Sequence, residues 1–321
     1  MIRLSLREIA EAVDGQLLGD DLYVEGSVET DSRLVKPGSL FIAKPGEVTD
    51  GHNFVAAAKD AGALAAIVQH RVDSAISQIV VEDSVVALGK LAAVVVERLH
   101  QLGRLRVIGI TGSNGKTSTK NMLRAVLSRF GNTVAPIESY NNEVGAPISM
   151  LLADETTDFL VAELGADGIG SIEYLTRMCQ PDVAVELKVG LAHVGEFGGI
   201  EKTFEIKSEL VRFAPNSLCV FNADDPYVQQ MQKFAKGEIT WFGFDSSASV
   251  RAENVRVSLA GTNRGARIET EPGYFTIGKL LHLLHVRVIG VEDTECIRRK
   301  ADQLRLDFKS LFNSAKLTNV R

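Results

Sequence analysis

The sequence predicts an α/β protein: a small N-terminal α/β domain followed by a P-loop central domain with a mostly parallel sheet. Two observations lead to this fold class. From Leu105 onward, short apolar strands alternate with helical stretches, a pattern typical of a parallel sheet with helices on both faces. One of these strands runs into a glycine-rich Gly-Lys-Thr turn and then a helix. A chain of 321 residues is long enough for about two such domains.

The composition is that of an ordinary globular protein. Hydrophobic residues make up 45% of the chain and charged residues 24%, which argues against a disordered or fibrous protein. The net charge of -6 disfavours nucleic acid as the main partner. The chain shows no signal-like start and no long apolar stretch, so we predict a cytoplasmic protein with no membrane span. The cysteines predicted to be buried thiols in a reducing compartment are Cys179, Cys219 and Cys296.

Residues 1–83 are predicted to form the compact N-terminal domain. Its first helix begins after Ser5, a residue type that favours the N-cap, and ends at Gly15. The next elements are predicted to be a strand, an alanine-rich helix and two strands, over residues 39–43, 54–61, 64–68 and 78–81. A helix with apolar residues at helical spacing from Val85 to Leu99 then marks the boundary to the central domain.

The central domain is predicted over residues 84–285. Its buried strands are expected at residues 106–110, 159–162, 182–187 and 218–221. In such a sheet, ligands collect outside the carboxyl ends of the strands. Polar residues follow these ends in the sequence, among them Glu163, His193 and Asn222.

The sharpest motif is TGSNGKTST, which follows the first strand of the central domain. Its glycines let backbone N–H groups approach phosphate oxygens, Lys116 can reach terminal phosphates, and Thr117 can ligate Mg²⁺. The spacing is shorter than the strict GxxxxGK[ST] form, because Ile110 stands five residues before Gly115. The alternative is a plain helix cap. The helix that follows is predicted to carry its apolar residues on one side, namely Met122, Leu123, Val126, Leu127 and Phe130.

Other polar residues carry weaker signals. Glu163 comes directly out of an apolar strand, and we interpret it as a cation ligand; the alternative is a solvated glutamate at a strand end. His193 and Lys207, taken singly, are typical of a surface loop and a helix surface. His282 and His285 have no cysteine or carboxylate cluster nearby in the sequence, which argues against a zinc site. No G-x-S-x-G elbow indicates a serine hydrolase.

Several motifs occur together in one order: TDSR, PGSLFIA and DGHNF, then TGSNGKTSTKNML, YNNEVGAPISML and AELGADGIGSIEYL, then AHVGEFGG, EIKSEL and FNADDP. In combination they resemble the Mur ligases, ATP-dependent amide-forming enzymes of peptidoglycan precursor synthesis, over about residues 1–260. Within that family, Ser113, Lys120 and the pair Asn141 and Asn142 look most like the member that adds D-alanyl-D-alanine (D-Ala-D-Ala) to UDP-N-acetylmuramoyl-tripeptide. The neighbouring ligase, which adds the third amino acid, is the alternative within the family.

The resemblance implies an ATP site and two magnesium sites. The residues implied to bind ATP are Gly112, Ser113, Asn114, Gly115, Lys116, Thr117 and Ser118, with Asn222 and Asp225 near the nucleotide. Thr117 and Glu163 would hold one Mg²⁺, and His193 would lie near a second one. Lys207 matches the family lysine that CO₂ carbamylates, which makes it an anionic group beside the second metal. The residues implied to be catalytic are Lys116, Lys207 and His193.

The resemblance also implies a substrate path and a reaction. Ser32 and Arg33 would contact the UDP substrate in the N-terminal domain, and Asn141 and Asn142 would line the muramoyl channel. The γ-phosphoryl group of ATP would pass to the terminal carboxylate of the tripeptide. The amine of D-Ala-D-Ala would then attack the acyl phosphate, with positioning and charge neutralisation carrying most of the catalysis.

The sequence departs from the family in its last part. Mur ligases carry a third, Rossmann-like domain, and we find no match to it, so residues 286–321 are predicted to be an atypical tail. We hypothesise that a frameshift or truncation replaced the family sequence from about residue 276. A non-catalytic remnant that binds the nucleotide or the precursor is therefore the alternative to an active ligase. Lys188 is a smaller departure, since many relatives have asparagine there.

Overall fold

The computed structural model describes residues 1–46, 49–136, 140–190, 197–251, 255–259 and 266–270. Several sequence predictions lie outside the described residues: His193, the histidines of the LLHLLH segment, Cys296 and the tail over 286–321. The domain boundaries after residues 83 and 285 stay predictions.

The N-terminal unit starts with a short strand and a capped helix, β1 (Leu4–Ser5) and α1 (Leu6–Ala12). The Ser5 hydroxyl accepts a hydrogen bond from the Glu8 backbone N–H at 3.2 Å, and the Glu8 carboxylate accepts one from the Ser5 N–H at 2.9 Å. This capping box satisfies two donors at the helix start and confirms Ser5 as the N-cap. The short strands that follow are β2 (Gln16–Leu18), β3 (Tyr23–Val24) and β4 (Val28–Glu29).

The remainder of this unit completes a five-stranded sheet. Its elements are β5 (Leu40–Ile42), α2 (Val55–Asp60), β6 (Ala65–Val68) and β7 (Ser77–Val80). The strand order is β2-β7-β6-β5-β4, parallel except for the β2–β7 pair. These elements confirm the predicted strands and the alanine-rich helix.

The helix α3 (Ser84–Gln101) joins the two units. Asp83 starts the helix, because its carboxylate accepts hydrogen bonds from the backbone N–H groups of Val85 at 2.7 Å and Val86 at 2.9 Å. One continuous apolar core contains Leu91 of α3 together with Ile9 of the N-terminal unit and residues of the central unit. The helix therefore packs against both units.

The central unit alternates strands and helices as predicted. Its elements in chain order are β8 (Arg106–Thr111), α4 (Lys116–Leu127), β9 (Thr133–Val134), α5 (Gly145–Met150), β10 (Phe159–Glu163), α6 (Ser171–Cys179), β11 (Val183–Glu186), α7 (Ile200–Lys207), α8 (Glu209–Phe213), β12 (Leu218–Asn222), α9 (Pro226–Gln230), β13 (Ile239–Gly243) and β14 (Val250–Arg251). An antiparallel hairpin, β15 (Val255–Leu259) and β16 (Ala266–Thr270), follows.

All neighbouring pairs in the central sheet are parallel, and the strand order is β14-β13-β12-β11-β8-β10-β9. After β8 the chain forms β9 and β10 on one side of it, then returns to form β11 on the other side. In open parallel sheets, such a reversal opens a crevice at the carboxyl ends of the strands, where ligands bind. The phosphate-loop motif follows β8 and therefore lies at this crevice.

Helices cover both faces of this sheet, as predicted. Val161 of β10 and Val185 of β11 pack in the core on the α4 face, with Leu127. Ala162 and Ala184 belong to the core on the opposite face, which contains residues of α6 and α8. This alternation follows from the strand geometry, in which successive side chains point to opposite faces.

The predicted apolar side of α4 is wrong at one residue. Met122 is 44% exposed, whereas Leu127 is buried and Lys120 is fully buried. At 100° per residue, Met122 lies about 140° around the helix from Leu127, so the two cannot share one face. The buried side of α4 thus includes a lysine instead of Met122.

Two further predictions concern the whole chain. Cys179 and Cys219 are buried free thiols, as predicted, and burial raises the pKa of each to about 12. Among the described residues, no helix combines the length and apolar character needed to cross a bilayer.

Candidate nucleotide and metal site

The loop between β8 and α4 has the conformation that its glycines require. Gly112 has φ +147° and Gly115 has φ +90°, values that L-residues with a side chain rarely adopt. A Cβ on Gly112 would lie 2.9 Å from the Leu187 Cβ, so the loop also lies close against the segment that follows β11. The loop then enters α4 at Lys116, where the helix N-terminus favours an anion.

The segment after β11 holds the phosphate loop through Ser113. The Ser113 backbone N–H donates to the Lys188 carbonyl at 2.7 Å, and the Gly190 N–H donates to the Ser113 hydroxyl at 2.9 Å. Ser113 is buried, whereas Asn114 and Ser118 are exposed at the loop surface. The buried Ser113 therefore attaches the phosphate loop to the segment after β11.

The Lys116 side chain folds back onto the phosphate loop. Its Nζ donates to the Gly112 carbonyl at 2.8 Å. Burial lowers the pKa of Lys116, while the nearby charge of Glu163 opposes this shift. The ammonium group is thus held directly over the turn where phosphates are expected.

Glu163 ends β10 beside α4 and is only 1% exposed. Its Oε1 accepts hydrogen bonds from the Thr117 hydroxyl at 3.1 Å and from the Asn141 Nδ2 at 3.2 Å. Its Oε2 lies 3.3 Å from the Lys120 Nζ, yet accepts no hydrogen bond from the described residues. The alternative of a solvated strand-end glutamate is therefore wrong.

Lys207, at the end of α7, is 3% exposed. Burial, helped by the charge of Lys116, lowers its pKa to about 8, while the carboxylates of Glu186 and Glu209 act in the opposite direction. The influence of Lys116 shows that Lys207 lies within electrostatic range of the phosphate loop. The sequence alone suggested a helix-surface lysine, and that interpretation is wrong.

Glu186 lies near Lys207, and the sequence did not single it out. It ends β11, is fully buried, and neither of its carboxylate oxygens has a hydrogen-bond partner among the described residues. Burial raises its pKa well above the ordinary carboxyl value, Lys207 opposes this shift, and Asp225 adds to it. A glutamate at the end of an apolar strand was the available signal, and the same signal singled out Glu163.

Asn222 and Asp225 hold the segment after β11 in place. The Asn222 Nδ2 donates to the Leu187 carbonyl at 2.8 Å, and the Asp225 Oδ2 accepts from the Val189 N–H at 3.2 Å. The Asp225 Oδ1 accepts two backbone N–H groups at the start of α9, each at 3.0 Å. Both side chains thus support the segment that positions Ser113.

A cleft of about 420 Å³ adjoins the metal-site candidates. It is lined by Asn141, Asn142, Asp167 and Tyr174, among other residues of the α5 and α6 region. The Asn142 side chain accepts the Gly145 N–H at 2.8 Å and so supports the start of α5. Asn141 both lines the cleft and donates to Glu163, which links the cleft to the phosphate loop.

The predicted N-terminal substrate residues lie elsewhere, on the turn between β4 and β5. Ser32 is half-buried and the Arg33 side chain is 86% exposed. The Arg33 Nε donates to the Asp31 Oδ1 at 2.9 Å, and this guanidinium lowers the Asp31 pKa to about 2. The Arg33 guanidinium thus pairs with a carboxylate of its own turn.

Family models match both units of the chain. A model described as "Mur ligase family, catalytic domain" matches residues 26–106, and one described as "Mur ligase middle domain" matches residues 110–290.

Individual relatives agree with these matches. Enzymes named UDP-N-acetylmuramoyl-tripeptide--D-alanyl-D-alanine ligase from Mycobacterium tuberculosis and Escherichia coli are 38% and 33% identical, over 78% and 82% of this chain. The chain spans 54% and 58% of their lengths, or about half. A crystal structure of MurF from Acinetobacter baumannii matches 79% of this chain and 56% of its own, with 34% identity and a TM-score of 0.72. MurF from Thermotoga maritima, in complex with ADP, matches 71% and 52%, with 32% identity and a TM-score of 0.62.

Proposed function

The chain belongs to the Mur ligase family, and from this membership we propose that it acts as the ATP-dependent ligase that joins D-Ala-D-Ala to UDP-N-acetylmuramoyl-tripeptide in the cytoplasm. Relatives that carry the name of this activity support the proposal. Because the chain spans about half their length, the complete reaction is the part of the proposal that most needs a direct test.

One structural observation carries the nucleotide part of the proposal. The phosphate loop, the start of α4 and the buried Glu163 meet at the carboxyl end of β8, where the strand order reverses. The Thr117 hydroxyl and the Glu163 carboxylate touch at 3.1 Å. A helix N-terminus, a lysine and adjacent oxygen ligands are the groups that a magnesium-bound triphosphate requires.

The residues present fit a magnesium ion. The Glu163 Oε2 is buried and accepts no hydrogen bond from the described residues, so a lone pair is left for a cation. Mg²⁺ binds oxygen ligands and commonly takes one or two carboxylates together with phosphate oxygens. Thr117 and Glu163 would hold it, and the ion would neutralise charge on the transferring phosphoryl group. Lys116 would add a second positive charge on the same phosphates.

Lys207 is proposed to carry the carbamate. Carbamylation joins a neutral amine to CO₂ and releases a proton, so it needs a lysine that loses its proton near neutral pH. The pKa of about 8 and the burial of Lys207 support this chemistry, because both favour the neutral amine. The resulting anion would help to hold a second metal ion together with His193.

The substrate side of the proposal rests on the cleft beside Asn141. A UDP-muramoyl substrate would enter from the Arg33 turn, and its reacting carboxylate would lie near Asn141 and Asn142. Asn141 donates to Glu163 and also lines the cleft, so it can orient the carboxylate of the metal site and contact the substrate. Phosphoryl transfer then depends on positioning, since the protein itself forms no bond to the substrate.

The test is a product assay on the purified chain. UDP-N-acetylmuramoyl-tripeptide, ATP and Mg²⁺ are supplied with and without D-Ala-D-Ala, while phosphate release is followed and products are weighed by mass spectrometry. A pentapeptide product that requires the dipeptide is expected. The matched control is K116M, which should bind less ATP and form no product. Nucleotide binding without product would contradict the ligase and reduce the function to nucleotide or precursor binding.

A further inference from the structure

Lys120 is a fully buried charge that the proposed reaction does not use. It lies on α4 three residues after Thr117, so both side chains face the same side of the helix. Its Nζ is 3.3 Å from the Glu163 Oε2. Lys120 therefore lies beside one carboxylate oxygen, whereas Asn141 contacts the other.

The contacts of Glu163 differ at its two oxygens. Oε1 accepts two hydrogen bonds, from Thr117 and Asn141, and these fix the direction of the carboxylate. Oε2 has the ammonium of Lys120 nearby but accepts no hydrogen bond from the described residues. An ion pair without a hydrogen bond leaves the lone pairs of Oε2 available to a metal ion.

The charges explain why a lysine is needed there. A buried ion pair is stable only as a pair, because removing one partner leaves the other without compensation inside the protein. Lys120 is that partner within the fold, since its Nζ lies 3.3 Å from the Glu163 Oε2 and both side chains are buried. The other nearby lysine, Lys116, feels the charge of Glu163, but its ammonium group donates its hydrogen bond to the Gly112 carbonyl of the phosphate loop.

We propose that Lys120 is a positioning residue, which holds the Glu163 carboxylate directed at the cation that accompanies the nucleotide. The proposal rests on the function proposed above. Because Lys120 is fully buried, it would act on the nucleotide through Glu163. Its effect is confined to the part of nucleotide affinity that depends on the metal.

The experiment compares ADP binding with and without Mg²⁺ by calorimetry, for the wild-type chain and for K120M. Methionine has a similar length but no charge. The Mg²⁺-dependent gain in ADP affinity is expected to fall about tenfold in K120M, as for other residues that orient a metal ligand. Affinity for metal-free ADP is expected to stay within about twofold, since the loop itself is untouched.

A second variant separates positioning from simple packing. In K120M/E163Q a neutral amide replaces the Glu163 carboxylate. The loss of the Lys120 ammonium then leaves no buried carboxylate without its partner. The double variant is expected to melt at a higher temperature than K120M and to lose no more metal-dependent affinity than E163Q alone. The control variant is K90M, which removes a lysine of α3 that pairs with Asp14 of the N-terminal unit at 2.7 Å and should change neither affinity.

The outcomes are distinct. Equal losses with and without Mg²⁺, an unchanged or stronger Mg²⁺-dependent gain, or additive effects in the double variant would each overturn the positioning role. If K120M does not fold, K120Q and the double variant carry the same comparison. If the wild-type chain binds ADP with no gain from Mg²⁺, the proposed metal site and this inference both fail. If the wild-type chain shows the Mg²⁺-dependent gain in ADP affinity and K120M keeps all of it, this inference fails while the proposed metal site stands.

Discussion

Glu163 and Glu186 end the two strands that flank β8, and each is almost completely buried, yet their surroundings differ sharply. Glu163 touches a hydroxyl, an amide and an ammonium group. Glu186 has no hydrogen-bond partner among the described residues. The strand alternation places them on opposite faces: Glu163 shares the α4 face with Val161, and Glu186 shares the α6 and α8 face with Ala184.

This difference shows that the polar partners of a buried carboxylate depend on the helix that packs against its strand. The first turns of α4 present Thr117 and Lys120 to Glu163, and these groups hold its carboxylate in place. On the other face Glu186 has no hydrogen-bond partner among the described residues, and burial raises its pKa well above the ordinary value despite the opposing charge of Lys207. Glu163 thus has three polar partners, whereas burial favours the neutral form of Glu186, and each prediction below tests one side of that contrast.

The largest effect is expected from E163Q. The amide keeps the size of the side chain but removes the charge that attracts the cation. We expect the Mg²⁺-dependent gain in ADP affinity to fall at least about 100-fold, measured by calorimetry. The matched control is E186Q, on the other side of β8, which should change that gain by less than about threefold. Similar losses in both variants would contradict the contrast.

The second effect concerns stability and is expected from E186Q. A raised pKa in the folded state means that folded Glu186 holds a proton which the unfolded chain releases above its ordinary pKa of 4.5. This group therefore costs stability as the pH rises from about 4.5 towards its folded pKa. Replacing it with glutamine, which has no titrating proton, should stabilise the chain at pH 7 by about 1.4 kcal/mol for each unit by which folding raises that pKa.

Urea unfolding of both proteins at several pH values measures this effect. The stability gap between E186Q and the wild-type chain should be small near pH 4 and widen as the pH rises. Only the difference between the two curves matters, since all other groups titrate in both. A variant less stable than the wild type at pH 7 would mean that Glu186 is charged and paired in the folded chain.

The sequence predicted the parts of this comparison that depend on local pattern. The apolar runs gave the strands that carry both carboxylates, and the Gly-Lys-Thr turn gave the loop between β8 and α4. Short strands such as β9, with two residues, have too little pattern to be recognised. The longer strand β13, with five residues, was also not predicted. Its residues are mostly half-buried, and its sequence lacks the continuous apolar run that is typical of a central strand.

The side-chain environment was less predictable. The burial of Lys120 in place of Met122 depends on how α4 is rotated against the sheet, and tertiary packing fixes this rotation. For the same reason Glu186 was overlooked: one sequence cannot tell which helix will cover a strand end. The roles of Ser32, Arg33 and His193 remain expectations from family resemblance.

A third, smaller effect is expected from N141A. The Asn141 amide donates to the Oε1 of Glu163 and leaves Lys120 and Thr117 in place. Removing one of the three groups should lower the Mg²⁺-dependent gain in ADP affinity by about tenfold, as for other residues that orient a metal ligand. The control is N142A, because the Asn142 side chain supports α5 instead of Glu163. An equal loss in N142A would mean that the cleft wall, and not the hydrogen bond, is responsible.

The smallest expected effect concerns Lys207, which responds to the charge of Glu186. The pKa of Lys207 is about 8, so its amine becomes neutral and able to bind CO₂ as the pH rises through that value. With ¹³C-labelled bicarbonate, a carbamate signal absent in K207M should appear in the NMR spectrum as the pH rises from 7 to about 8.

If Glu186 is already neutral, E186Q should leave the pH midpoint of the carbamate signal unchanged. A lower midpoint in E186Q would show that a negative charge on Glu186 had held the proton on Lys207, because removing that charge makes the ammonium easier to deprotonate. The pH midpoint of the carbamate signal thus reports the charge of a carboxyl group that makes no hydrogen bond to the described part of the chain, and it does so without any nucleotide bound.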